Sequence, residues 1–190
     1  MGEKCFAFYK YDGSNLRFEW TKKKGWVKYG TRRRLFDASD EVFGGAIELF
    51  QNTLAEGIDK VLRDQYRDTQ KVTTYAEFVG PRSFAGQHHP DDEKELVLFD
   101  VSIHKKGLVA PIDFVKQFGH LNSAELIYEG NLNQTFIDDV RNDKYPLDEG
   151  VVVKGGSGHK LWMCKIKTHS YLAKLKEVFG GEWAKYWEDA

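Results

Sequence analysis

An α+β fold built on a mainly antiparallel sheet is what this sequence predicts, and three of its features carry that expectation. Short runs of alternating apolar and polar residues recur along the chain, one long stretch has helical apolar spacing, and strand and helix patterns do not alternate as regular βαβ units. The 190 residues are 41% hydrophobic and 14% aromatic, too apolar for a disordered chain and enough to fill the core of one large domain rather than two.

The first stretch alternates through Phe6 and Phe8 and again through Leu16, Phe18 and Trp20, with Asp12-Gly13 between the runs as a turn signal. This gives a strand, a turn and a strand. Lys22-Lys23-Lys24-Gly25 reads as the next turn and residues 26–29 as a third strand. Ser39 or Asp40 is placed to cap a helix within residues 41–66, because Phe43, Ile47, Phe50, Leu54, Ile58, Val61 and Leu62 share one helical face. Strand patterns follow at residues 71–79, 95–103, 150–154 and 160–167, the last two joined by Gly155-Gly156-Ser157-Gly158 as a hairpin turn. Pro111, a favoured first helical residue, and Gln134 open shorter helices. Residues 170–187 read as a closing helix.

Charge narrows the chemistry. Lys and Arg number 28 against 29 acids, so no overall basic excess announces nucleic acid or an anionic membrane as the partner. The charge is segregated instead: residues 21–36 hold seven basic side chains and no acid. Lys22, Lys23, Lys24, Arg32, Arg33 and Arg34 therefore read either as a solvated hairpin face or as a track for phosphates. Cys5 and Cys164 stand far apart without zinc-site spacing, no apolar run approaches the roughly 18 residues that span a bilayer, and no signal-peptide pattern opens the chain. A cytoplasmic protein without membrane contact is expected. His88 and His89, with Asp91 and Asp92 nearby, lie in a polar loop and lack a third ligand at metal-site spacing.

No GxxxxGK[ST] loop, GxSxG elbow or HExxH helix is present, so the chemistry has to come from elsewhere. Lys10 ends a hydrophobic strand immediately before a tight turn, which holds it on rigid backbone. An amine attacks phosphorus only when unprotonated, and desolvation with neighbouring positive charge lowers a lysine below its ordinary value of about 10.4. Lys165 and Lys167, at i and i+2, point to one face of a strand and are candidate neighbours. Taken by itself, Lys10 reads as a strand-end lysine solvating a turn.

Lys10-Tyr11-Asp12-Gly13, Thr74-Tyr75-Ala76-Glu77-Phe78-Val79-Gly80, Leu96-Val97-Leu98-Phe99-Asp100-Val101, Glu149-Gly150-Val151-Val152-Val153-Lys154 and Trp162-Met163-Cys164-Lys165-Ile166-Lys167 follow in that order. They resemble motifs I, III, IIIa, IV and V of the covalent nucleotidyltransferases, the superfamily of ATP-dependent DNA ligases, RNA ligases and mRNA capping enzymes. The resemblance spans residues 10–167 and looks most like the RNA ligase 2 branch, because DNA ligases usually carry an arginine where this chain has Asn15.

The resemblance implies an ATP-grasp-like ligase adenylation domain, with antiparallel sheets flanked by helices and a nucleotide cleft between them. It implies a polynucleotide ligase, with RNA favoured, that joins 5′-phosphate to 3′-hydroxyl ends through a covalent lysyl-AMP on Lys10, using ATP and Mg²⁺ or Mn²⁺. Lys165 and Lys167 would stabilise the phosphoryl charge, Glu149 and Asp12 would organise the metal, and Glu77 would accept a ribose hydroxyl. Phe99 would stack on adenine, with Gly13 and Lys154 also against the nucleotide. Arg32 matches the arginine that touches ribose or acceptor phosphate, and Arg33 and Arg34 would extend its track. Simpler readings stand beside these: Phe99 as a core aromatic, Lys154 as the solvated start of a hairpin turn, Asp12 as a turn residue. Glu77 is the sharper signal, since a carboxylate between apolar strand residues is costly unless paired or functional.

Two departures from the family pattern matter. Tyr9 stands where the RNA ligase branch commonly has an acid, and fewer than 25 residues follow Lys167, so residues 1–190 are expected to be a single minimal nucleotidyltransferase domain without an OB-fold. A separate polypeptide would then supply the missing module. A GTP-using capping-type guanylyltransferase and a non-catalytic nucleic-acid-binding remnant are the alternative readings.

Overall fold

The structure is a computed structural model and describes residues 3–80 and 93–184. It is α+β, as the sequence leads one to expect, with two antiparallel sheets. One has four strands in the order β10-β9-β1-β8: β10 (Trp162–Lys167), β9 (Gly150–Gly155), β1 (Lys4–Lys10) and β8 (Leu126–Asn131). The other has six in the order β4-β3-β2-β5-β6-β7: β4 (Leu35–Phe36), β3 (Gly25–Thr31), β2 (Ser14–Thr21), β5 (Lys71–Val79), β6 (Glu95–Ile103) and β7 (Gly107–Leu108).

The two strands that flank Asp12-Gly13 do not pair with each other. β1 ends at Lys10 in the four-stranded sheet and β2 begins at Ser14 in the six-stranded one, so this turn carries the chain from sheet to sheet. Gly13 permits the crossing, because a Cβ there would lie 2.6 Å from the Phe78 carbonyl oxygen and 2.9 Å from Glu77 Cγ. The turn is thereby pressed onto the end of β5.

Period-two alternation decides which way β1 points its side chains. Phe6 and Phe8 join the large core of the six-stranded sheet, while Cys5 and Ala7 join a second core with Val151, Val153, Ile166, Phe136 and Val140. Lys10 continues the Phe6–Phe8 face. It therefore faces the six-stranded sheet.

The long helix differs from the expectation in two ways. Asp40 accepts from the backbone of Val42 and Phe43, which caps a turn, and the helix itself starts only at α1 (Gly45–Phe50). A π-helical turn, Gln51–Ala55, then joins α1 to α2 (Glu56–Gln65). The apolar residues explain this insertion: Phe50, Leu54 and Ile58 are spaced by four, and the wider turn keeps all three, fully buried, on the sheet. Phe50 stacks on Phe18 at 3.9 Å between ring centroids, and its burial is worth about 1.5–3 kcal/mol.

The shorter helices are α3 (Pro111–Phe118), α4 (Gln134–Arg141) and α5 (His169–Phe179). The closing helix ends earlier than its pattern suggests because Gly180 takes φ 52°, and residues 185–187 of that pattern lie outside the described residues. The last strand begins at Trp162 rather than at 160, since Gly158–Lys160 forms a 3₁₀ turn. His88, His89, Asp91 and Asp92 also lie outside the described residues. Both cysteines are free, Cys5 buried and Cys164 exposed. Among the described residues, no helix is long and apolar enough to cross a membrane.

Candidate active site

Strand register builds the site. Lys10 on β1 pairs with Gly150 on β9, and Gly150 pairs with Lys167 on β10, so the two lysines flank a bare backbone position in one cross-strand row. Gly150 is required there: its φ is 147°, and a Cβ would lie 2.0 Å from the Ile166 carbonyl oxygen. Glu149, immediately before β9, reaches both amines. Lys10 Nζ donates to Glu149 Oε2 at 2.6 Å, and Lys167 Nζ lies 3.1 Å from Glu149 Oε1. All three residues are buried, Glu149 to 1% exposure. A single carboxylate in such a place would cost several kcal/mol, and two ammonium partners offset that cost.

Of the paired lysines, Lys167 is thus linked to Lys10 through an acid, which charge and spacing along the sequence did not suggest. Burial pushes the Lys167 amine down, against the pull of Glu149. Lys165 is more exposed and is also pushed down, by desolvation and then by the positive charges of Lys10 and Lys167. Arg32 adds a further positive charge close enough to act on Lys165.

Two more carboxylates converge from the six-stranded side. Asp12, 6% exposed, accepts from the Tyr171 hydroxyl at 3.3 Å. Glu77, at the end of β5, is raised to about 7 because burial outweighs the attraction of Lys10, with Glu149 and Asp12 adding repulsion. The acid in the apolar strand is therefore held in the same electrostatic neighbourhood as Lys10, Lys165 and the other two carboxylates.

Phe99 owes its place to an irregularity. Tyr75 pairs with Asp100 but Ala76 pairs with Leu98, so the β5–β6 register skips Phe99. Bulges re-aim side chains in this way. Its half-buried ring sits 6.3 Å from the Tyr75 ring. Lys154 is not a solvated hairpin residue, because it is only 3% exposed and its amine donates to Asp100 Oδ1 and the Phe99 carbonyl, each at 2.8 Å. The Phe8, Phe99 and Phe114 rings surround it at 5.0, 5.8 and 5.7 Å.

The basic run does not form one track. Lys22, Lys23 and Lys24 make the β2–β3 turn, while Arg32, Arg33 and Arg34 follow β3 at its other end. A strand of seven residues separates them by about 23 Å. Lys22 also donates to the Arg67 carbonyl, and Arg34 pairs with Asp40. Only the arginine end lies beside β2 where that strand leaves the site, through the Leu16–Thr31 pair.

Two tyrosines contribute that the motifs do not assign to the site. Tyr171, on α5, enters the site as described. The Tyr9 hydroxyl donates to Asp148 Oδ2 at 2.7 Å and accepts from the Asp148 backbone at 3.1 Å, clamping the residue beside Glu149. The only sequence signal was the departure at Tyr9 itself.

Could the acids hold a divalent cation? Among the described residues no three acid, histidine or cysteine side chains form a ready cage. Mg²⁺ and Mn²⁺ commonly keep several waters and take one or two carboxylates with substrate phosphates. Asp12 and Glu149, two buried carboxylates that both act on Lys167, Tyr171 and Glu77, suit that smaller demand.

The fold is similar to that of solved RNA ligases. Its solved counterparts include a point variant of the Naegleria gruberi RNA ligase with ATP and Mn, at TM-score 0.66 and 18% identity over 91% of this chain. The Naegleria gruberi RNA ligase with PPi matches at TM-score 0.66 and 17% identity over 93% of this chain. An archaeal ATP-dependent RNA ligase matches at TM-score 0.65 and 14% identity over 95% of it. The chain spans about half the length of these proteins, 52% of each Naegleria chain and 47% of the archaeal one. No family model matches the sequence, and no curated protein is detectably similar to it.

Proposed function

We propose that the protein is an ATP-dependent polynucleotide ligase acting on RNA ends, with Lys10 as its covalent nucleophile. The observation that carries this reading is the buried Lys10–Glu149–Lys167 cluster, with Asp12, Glu77 and Lys165 around it. The binding of ATP and Mn by the Naegleria gruberi relative supports the choice of nucleotide and metal.

In the first step the Lys10 amine gives up a proton and forms a bond from Nζ to the α-phosphorus of ATP, the bond from that phosphorus to the bridging oxygen breaks, and pyrophosphate leaves. Lys165 and Lys167 face the phosphoryl oxygens as charge builds, and desolvation lowers the proton affinity of both. A divalent metal held by Asp12 and Glu149 would neutralise phosphate charge. Phe99 offers its ring to adenine, and Glu77 accepts from a ribose hydroxyl. In the second step an oxygen of an RNA 5′-phosphate attacks the same phosphorus and the P–N bond breaks, restoring Lys10. In the third a 3′-hydroxyl attacks the activated 5′-phosphate and AMP departs. Arg32, whose positive charge acts on Lys165, meets the nucleic-acid phosphate in this reading.

The direct test of this activity is sealing. Splinted RNA ends bearing a 5′-phosphate and a 3′-hydroxyl should be joined with ATP and Mg²⁺, and not when the 5′-phosphate is removed. Protein labelling by GTP in preference to ATP would instead favour the capping-type alternative. Salt-sensitive RNA binding with no labelling by either nucleotide would favour the non-catalytic one.

A further inference from the structure

Tyr171 is fully buried, yet it carries a hydroxyl. A buried hydroxyl without a partner costs about 1–3 kcal/mol, so a residue that only anchored α5 would do so better as phenylalanine. Its partner is Asp12, 159 positions away in sequence, at 3.3 Å. That distance is longer than a tight O–H···O bond, and contacts of this kind often tighten only once a site is loaded.

The backbone around Tyr171 is held just as firmly. Thr168, fully buried, caps α5 by accepting from the Tyr171 backbone at 3.1 Å. Leu175, one turn further on, is the other buried residue of the helix and anchors the same face. On the site side, the Lys167 amine sits 5.2 Å from the Tyr171 ring centroid. A carboxylate oxygen accepts, so toward Asp12 Oδ1 the Tyr171 hydroxyl serves as the donor.

We propose that the Tyr171 hydroxyl is a positioning group that fixes the Asp12 carboxylate in the orientation with which it takes up a hydrated divalent cation. The inference rests on the reading of Asp12 as a metal-organising acid. Groups that orient a metal-bound carboxylate commonly change metal affinity by 10–100-fold when removed. The effect here is expected at the low end of that range, because the bond is single and long.

The experiment is a titration of the nucleotide-free protein with Mn²⁺, read by loss of the free-ion electron paramagnetic resonance signal. Wild type, Tyr171→Phe, Asp12→Asn and the double variant are compared, each with its thermal unfolding midpoint. Tyr171→Phe should keep the ring, unfold within a few degrees of wild type and bind Mn²⁺ about tenfold more weakly. The double variant should bind no more weakly than Asp12→Asn alone. In adenylylation assays Tyr171→Phe should need more metal but reach the wild-type rate at saturation, whereas a merely structural role would lower midpoint and saturated rate together. Unchanged Mn²⁺ affinity in Tyr171→Phe, with Asp12→Asn weakened, would overturn the inference. Unchanged affinity in Asp12→Asn would overturn it too, by removing the acid from the metal. Neither result bears on whether Lys10 takes up AMP, which the protein's mass reports separately.

Discussion

Lys10 and Lys167 stand on either side of Gly150 in a single cross-strand row, and both amines meet the Glu149 carboxylate. One acid thus holds two buried cations, and removing it leaves both without that counter-charge. Glu149→Gln should therefore lose roughly 3 kcal/mol of stability, seen as a fall of roughly 6–12 °C in the unfolding midpoint. A midpoint within 2 °C or so of wild type would mean that the cluster is far better hydrated than its burial implies.

Glu77 makes stability depend on pH in a direction opposite to an ordinary salt-bridged acid. Its folded value of about 7 lies above the ordinary carboxyl value of 4.5, so the folded state binds the proton more tightly. The contribution is fully present below about 4.5 and is lost as pH rises through about 7. Glu77→Gln should remove the penalty, raising the unfolding midpoint relative to wild type at pH 8 and leaving the two similar near pH 4.5. The cost relieved is on the order of 3 kcal/mol. Equal midpoint differences at both pH values would show that burial does not control this acid.

The Asp100–Lys154 pair supports the site from behind Phe99. Either single change, Asp100→Leu or Lys154→Met, strands a buried charge and should cost about 3–5 kcal/mol. The double variant replaces both charges by apolar groups and should recover most of the loss, which a double-mutant cycle measures. Simple additivity would indicate that the pair is not coupled.

The separation of the two basic turns predicts unequal effects on RNA. Arg32→Ala should weaken binding of 5′-phosphorylated RNA and make the salt dependence shallower by about one ion, while Lys23→Ala and Lys24→Ala leave both nearly unchanged. Fluorescence anisotropy across a salt series distinguishes them. Equal losses at both ends would restore the continuous track that the charge run suggested.

Why some of this was legible and some not follows from particular residues. β5 and β6 run over the residues their alternation marked, because one face of each is buried and period two is then strongly enforced. The face of Lys10 could be read the same way from Phe6 and Phe8. β8 escaped notice because Leu126, Ile127 and Tyr128 are all only half-buried at a sheet edge and show no alternation. The bulge at Phe99 leaves no local trace, since register belongs to two strands and the sequence presents one. Tyr171 looked like any apolar residue of an amphipathic helix, and only the fold brings its hydroxyl to Asp12. The Glu149 bridge was hidden for the same reason: the motifs placed each partner at the site without saying which charges would touch.

Lys10 is expected to form a covalent bond to the nucleotide, and intact-protein mass spectrometry after incubation with ATP and Mn²⁺ reads that bond directly. Wild type should gain the mass of one AMP, acid-labile as a P–N bond requires, and Lys10→Ala should gain none. A wild type that remains unmodified, or a Lys10→Ala variant that is still labelled, would contradict that expectation.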